Sequence, residues 1–314
     1  MQEINLIVGE QDKDKRIDVY LHEKLSVELE FGQPITISRE IIKKLILSGD
    51  ITVNGNKTNP HQKIKPGDII VGVYRDAPVI GIIPQNIPLD IVYEDDDLIV
   101  INKQAGLVVH PAPGNWDNTL VNGLVFLGKQ LSTVDPTRPG IVHRLDQETS
   151  GLMLIAKNNQ AHYFFVKQFS RHLISRQYIA VVYGEIQFDE GRIDSSIGKH
   201  PKDFRRMTTG ISRDEKNALT YYKTLKRTKN WSFLELIPQT GRTHQLRVHL
   251  ASIGHPILGD TKYGKNVGAN GSLPLSSRMF LHAKSIKFPH PRTKEIMEFK
   301  SDLPIEFKNF LNDK

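Results

Sequence analysis

His143-Arg144-Leu145-Asp146 puts an imidazole, a guanidinium and a carboxylate within four residues. A carboxylate can serve an enzyme as a covalent nucleophile or as a base. The segment continues as Gln147-Glu148-Thr149-Ser150-Gly151 and lies between the turn Pro139-Gly140 and the apolar run Leu152 to Ala156. It therefore reads as a loop at the mouth of a strand, the kind of place where a rigid sheet holds reactive groups. Taken alone, Arg144 and Asp146 read better as a structural ion pair in a turn.

A second cluster changes that weight. Gln239-Thr240-Gly241-Arg242-Thr243-His244-Gln245-Leu246-Arg247-Val248-His249-Leu250 reads as a strand end, a turn and a helix capped at Thr243, with Gly254 as its stop. Arg242 would then stand just ahead of a helix N-terminus, where free N–H groups and the helix dipole favour anions. Other chemistries are set aside. The chain has no cysteine, hence no disulfide, thiolate nucleophile or cysteine-bound zinc. His244 and His249 belong to no His-Glu-x-x-His pattern and point to different helix faces, so no metal site is expected. Ser150 sits in Thr-Ser-Gly without the Gly-x-Ser-x-Gly elbow of a hydrolase.

The elements that must position these clusters divide the 314 residues into a small and a large unit. Ile17, Leu21 and Leu25 recur every fourth residue, predicting a first helix over 16–25. Ser38 then caps a second helix with Ile41, Ile42, Leu45 and Ile46 on its inner face and Gly49 beyond its end. Arg39, Lys43 and Lys44 occupy its other face, and their clustering suits phosphate contact. Short strands with turns follow at 51–55 and 65–70. Proline-rich residues 76–88 read as a linker between a domain at 1–75 and a domain at 89–314.

Beyond the linker, Leu98 to Ile101, Gly151 to Ala156, Tyr178 to Tyr183 and Trp231 to Ile237 read as strands, with few helical candidates. Strands without regular strand-helix alternation predict an α+β domain on a central, largely antiparallel sheet. Lys199 to Lys216 is basic and aperiodic, and it is expected to be an extended loop in which Arg205 and Arg206 could close over RNA. The net charge of +7 leans toward a polyanionic partner, and with 11 basic and 12 acidic residues in the first 80 the excess sits in the larger part. No apolar run approaches the roughly 18–20 residues of a membrane helix, and the first residues lack an apolar signal core, so a cytoplasmic protein is expected.

Both clusters together resemble the RluA-type pseudouridine synthase family: His-Arg-Leu-Asp with Glu148-Thr149-Ser150-Gly151-Leu152, then Thr240 through His249. Further matches are Asp97 to Lys103 with Gly106 to Pro111, Tyr178 to Gly184, and Gly259-Asp260 with Lys262-Tyr263-Gly264. The two helices and small sheet at the N-terminus are similar to the alpha-L RNA-binding domain, a small α/β module. That combination resembles the RluD-like members that modify large-subunit ribosomal RNA.

The resemblance implies a pseudouridine synthase fold and an isomerisation in which uracil leaves its ribose and is rejoined through carbon, without cofactor or metal. It implies a structured RNA as partner, a monomer, and no membrane. Asp146 would be the catalytic carboxylate, with Arg242 as the arginine that holds its charge and orientation. Arg144 would fill the space left by the extruded uridine, and Tyr178 would pack on the uracil ring. Leu246 would form the apolar wall beneath the base, and His143 and Arg247 would lie among the residues facing RNA. Arg176 stands where many relatives have lysine, keeping the charge. A catalytically inactive RNA-binding or ribosome-assembly factor of the same fold is the alternative.

Overall fold

Ile42 and Ile46, one helical turn apart, are both buried in a core shared with Ile17, Tyr20, Leu21, Ile51 and Ile70. The computed structural model describes residues 2–25, 27–28, 34–35, 39–74, 82–112, 115–203, 206–212, 214–264 and 278–312. In the N-terminal unit, residues 1–78, helices Ile17–Lys24 and Arg39–Ser48 accompany an antiparallel sheet in the order Gln2–Ile7, Ile69–Tyr74, Ile51–Val53, Asn56–Lys57. Each buried isoleucine or leucine contributes about 1.5–3 kcal/mol, which lets so small a unit hold together without a disulfide.

Asp18 is buried in this unit and accepts hydrogen bonds from Arg16 Nε at 3.0 Å and from Arg39 Nη2 at 2.9 Å. Burial alone would raise its pKa; the two guanidinium groups outweigh burial and hold it below the ordinary carboxylate range. Arg39 is thus engaged in joining the two helices, while Lys43 is half-buried and Lys44 exposed. Ser38 lies outside the described residues.

The second unit, residues 79–314, has its own cores. Its sheet has nine strands among the described residues. Eight follow the order Glu190–Asp194, Leu219–Arg227, Trp231–Pro238, Ser175–Tyr183, Leu281–Pro289, Ser150–Ala156, Leu98–Lys103, Asp90–Glu94, and Ile296–Lys300 also pairs with Leu281–Pro289. Every pairing is antiparallel except one: Ser150 and Gly151 run parallel to His282 and Ala283. The fold is α+β on a largely antiparallel sheet.

Strands Leu98–Lys103 and Ser150–Ala156 read as unbroken apolar runs because both of their faces are covered. Ile99, Ile101, Met153 and Ile155 enter one core; Leu98, Val100, Leu152 and Leu154 enter another with Phe165 and Phe288. Phe165 belongs to helix Asn159–Ser170, whose Asn158 cap accepts from Ala161 N at 2.8 Å. The basic segment expected as one extended loop is partly ordered instead, since Met207–Thr209 pairs with Ile197–Lys199. Phe204 and Arg205 lie outside the described residues. No helix among the described residues is long and apolar enough to cross a membrane.

Candidate active site

Gly151 makes the parallel junction possible. Its φ is +112°, and a Cβ there would stand 2.3 Å from the carbonyl oxygen of Ala283, so any side chain would drive the two strands apart. Parallel pairing ends after two residues, leaving Leu154 without a strand partner on that side for its N–H. His143 Nε2 accepts it at 2.9 Å, which pins the loop to the strand. His143 is neutral, because burial lowers its pKa to about 3. Its ring rests on Phe169, with centroids 4.8 Å apart.

Lys103 fixes the other end of the loop. Its ammonium is buried and donates to the carbonyls of Gln104 at 2.8 Å, Leu107 at 2.8 Å and Gln147 at 3.0 Å. Burial lowers its pKa to about 7, against the opposing charges of Glu148 and Asp146. Gly106 N also donates to Gln147 O at 2.9 Å, so the residue after Asp146 is held from two directions.

Across from this loop, the turn after Trp231–Pro238 leads into helix Gln245–Ser252. The helix cap is His244, in the left-handed conformation with φ +55°, not Thr243 as the sequence suggested. Gln245 Oε1 accepts from Arg242 N at 3.0 Å, and Gln245 Nε2 donates to Leu219 O at 3.1 Å and Thr220 Oγ1 at 3.0 Å. One side chain thus binds turn, helix and sheet.

The two segments enclose a cavity of about 520 Å³. Asp146 is the one carboxylate among its lining residues, and its side chain is 16% exposed. Arg247 Nη1 donates to Asp146 Oδ2 at 3.1 Å, while Arg247 Nε and Nη2 donate to Asp260 at 2.7 and 2.9 Å. Burial pushes the pKa of Asp260 up, but Arg247 and the N–H groups of Lys262 and Tyr263 outweigh it and keep the carboxyl below its ordinary value. Arg247 is held protonated against burial by Asp260 and Asp146.

This corrects the expectation for Arg242. Its guanidinium Nε donates to Asn217 O at 3.2 Å on the exposed rim, and Arg247 takes the place beside Asp146. The two arginines are five positions apart and leave the turn and helix in different directions.

Tyr178 forms part of the cavity wall and is buried, which raises its pKa and keeps the phenol protonated at neutral pH. Leu246 is buried in the same wall and Arg144 is exposed at the mouth. Arg176 also lines the cavity, with its guanidinium 5.4 Å from the Phe169 ring centroid. Arg206 lies outside the lining and packs over the Tyr263 ring at 5.3 Å. A single carboxylate clamped by arginine in a pocket with an aromatic wall suits nucleophilic or proton-transfer chemistry on a planar, neutral ring.

Residues 97–252 match the RNA pseudouridylate synthase family, and residues 35–70 match the S4 domain. A Bacillus subtilis protein named as an uncharacterized RNA pseudouridine synthase is 40% identical over the whole of this chain and 98% of its own length. The chain belongs to the RNA pseudouridylate synthase family. A protein named ribosomal large subunit pseudouridine synthase D from Zymomonas mobilis is 41% identical, covering 85% of this chain and 86% of its own. Among solved structures, human RNA pseudouridylate synthase domain containing 1 superposes with a TM-score of 0.58 at 29% identity, covering 70% of this chain and 85% of that one. The S4 match agrees with the alpha-L module expected at the N-terminus.

Sequence reasoning missed the working parts that this synthase places behind the carboxylate. Asp260, Tyr263 and Lys103 stood only as family matches, with nothing in their spacing to tie them to Asp146. Away from the cavity, Asp95, Asp97 and His290 come within 4.8 Å of one another. Their oxygens are engaged: Asp97 by Arg292 and Asn158, and Asp95 by Tyr93, His290 and two backbone N–H groups. The group reads as a structural ion network joining strand and loop.

Proposed function

We propose that this enzyme, which converts uridine to pseudouridine in RNA, acts on large-subunit ribosomal RNA in the cytoplasm, as a monomer, with Asp146 as the reactive carboxylate. The observation that carries the reading of the site is the Asp146–Arg247 pair, the one acid of the cavity held at its floor by a shared guanidinium. The target uridine must leave its stack to reach it, which costs a few kcal/mol. Arg144, exposed at the mouth, fills the vacated place. Tyr178 and Leu246 receive the base, and aromatic stacking on an extruded base contributes about 1–3 kcal/mol.

The reaction is an isomerisation with no net redox or hydrolysis. The names of relatives such as the Zymomonas mobilis protein support the choice of ribosomal RNA. The S4 unit, with Lys43 and Lys44 on one helix, supports a second RNA contact. The test is site-resolved pseudouridine mapping of ribosomal and transfer RNA in cells with and without the gene, alongside Asp146→Asn and Asp146→Ala in vitro. The variants are expected to lose product formation and to bind RNA within a few fold of the parent; product at the parent rate would remove Asp146 from its role.

A further inference from the structure

His244 has both of its ring nitrogens placed by the fold, and only one of them is used. Nδ1 lies 2.8 Å from the Tyr263 hydroxyl, and that hydroxyl also accepts from Met207 N at 2.9 Å. With Met207 donating, the Tyr263 proton has one acceptor among the described residues, namely His244 Nδ1. This arrangement fits the tautomer with its proton on Nε2. That Nε2 stands 4.0 Å from Asp146 Oδ1, beyond hydrogen-bonding distance, and meets no acceptor among the described residues. It faces the same cavity as Asp146 and Tyr178.

We infer that His244 is a further substrate-contacting residue, whose Nε2–H donates to a carbonyl oxygen of the uracil held beside Asp146. This rests on the functional reading above and assigns a role to a residue that the reading leaves idle. In the reaction the C1′–N1 bond breaks and its electron pair passes to the uracil, where the carbonyl oxygens share it. The ring then turns, C5 bonds to C1′, the proton on C5 departs and N1 takes one up. A fixed neutral donor strengthens as charge grows on the oxygen and needs no reorganisation at that moment.

The surroundings suit a neutral donor. Burial lowers the His244 pKa to about 4, outweighing the pull of Asp146, so the ring is uncharged at neutral pH and does not compete with Arg247 for the carboxylate. The ring is also fixed in place. Its backbone is fixed at φ +55° as the helix cap, Tyr263 packs edge-on with centroids 5.7 Å apart, and Tyr263 is itself covered by Arg247 at 5.2 Å. A left-handed residue that is not glycine or asparagine is strained, and such strain persists where the surroundings over-determine it.

His244→Gln and His244→Asn of the full chain separate the two nitrogens. The glutamine amide reaches the place of Nε2, whereas the shorter asparagine reaches only that of Nδ1; yet asparagine suits the left-handed backbone better. On unmodified large-subunit ribosomal RNA transcript, single-turnover rates at saturating enzyme are expected to fall roughly 10²–10³-fold for His244→Asn, as for loss of one such donor. His244→Gln is expected to stay within about tenfold of the parent, and Tyr263→Phe, which frees the tautomer, to fall between them. RNA affinity is expected to stay within a few fold for all three. A His244→Asn variant as fast as the parent overturns the assignment. So do equal losses in both His244 variants accompanied by an equal loss of RNA affinity, which would give the ring a purely architectural part. A parent chain inert on every RNA offered would instead sink the functional reading, and this inference with it.

Discussion

Arg247 is shared between two carboxylates: one nitrogen meets Asp146 at 3.1 Å while two others clasp Asp260 at 2.7 and 2.9 Å. Asp260 is fully buried at its side chain and Asp146 is not, so the guanidinium is anchored on the inner acid and presented to the outer one. Lysine keeps the charge but cannot make this fork.

Arg247→Lys is therefore expected to lower the single-turnover rate by at least about a hundredfold, the scale of one lost transition-state contact. Breaking a buried pair also costs about 3–5 kcal/mol of stability, so a lowered melting temperature should accompany it. Arg242→Ala should keep the rate at saturating RNA within a few fold and raise the RNA concentration needed. A reversed pattern would return the clamp to Arg242.

The motif segment 239–250 announced a strand end, a turn and a helix, and the structure has all three. Thr243 offers the better N-cap hydroxyl, yet the fold caps the helix at His244 without a side-chain bond. Arg242 stood beside Asp146 by family resemblance alone, and no local pattern tells which of two arginines five positions apart meets the carboxylate. The apolar strands Leu98–Lys103 and Ser150–Ala156 were visible because both faces are buried. Asp90–Glu94, Glu190–Asp194 and Leu219–Arg227 were not, because side-chain type and burial do not alternate together: Val92, Tyr221 and Leu225 sit at exposed positions among polar residues. The partnership of Asp260 with Arg247 depends on chain crossings that no local pattern records.

Lys103 gives a test in alkaline solution. Its folded pKa of about 7 lies below the ordinary 10.5, so between those values the unfolded chain holds one proton more than the folded one. Stability gained from this group therefore rises with pH across that window, by at most about 1.4 kcal/mol per unit. Urea midpoints from pH 7 to 10 should climb less in Lys103→Met than in the parent. Identical slopes would contradict the burial of the charge.

Acid acts through the histidines. Burial depresses His143 to about 3 and His162, His244 and His282 to about 4, so below the ordinary 6.5 the unfolded chain takes up protons that the folded one refuses. Stability is expected to drop as pH falls from about 6.5 toward 4. His162 lies outside the cavity lining and keeps a buried Nδ1 without a partner, so His162→Leu should flatten the fall without touching the rate. Denaturant titrations at pH 7, 6 and 5 measure it.

The two units have separate cores, and this predicts that residues 79–314 fold without residues 1–78. The truncated chain should melt cooperatively and keep its rate at saturating RNA within a few fold. Its affinity should be weaker, with a smaller dependence on salt because fewer phosphates are neutralised. Equal affinity at two salt concentrations would deny the S4 unit its role.

The sheet splits just past Ser150 and Gly151, where parallel pairing with His282 and Ala283 stops and His143 closes the exposed edge. A fork of this kind in the middle of a sheet has stiff prongs, since each is hydrogen-bonded to further strands on its outer side. The wall that Tyr178 and Leu281 give the pocket, and the Asp146 loop pinned to the strand through His143, are consequently set before any nucleic acid arrives. Against that set wall the unstacking of the uridine falls on the RNA, which favours sites where the helix is already loose.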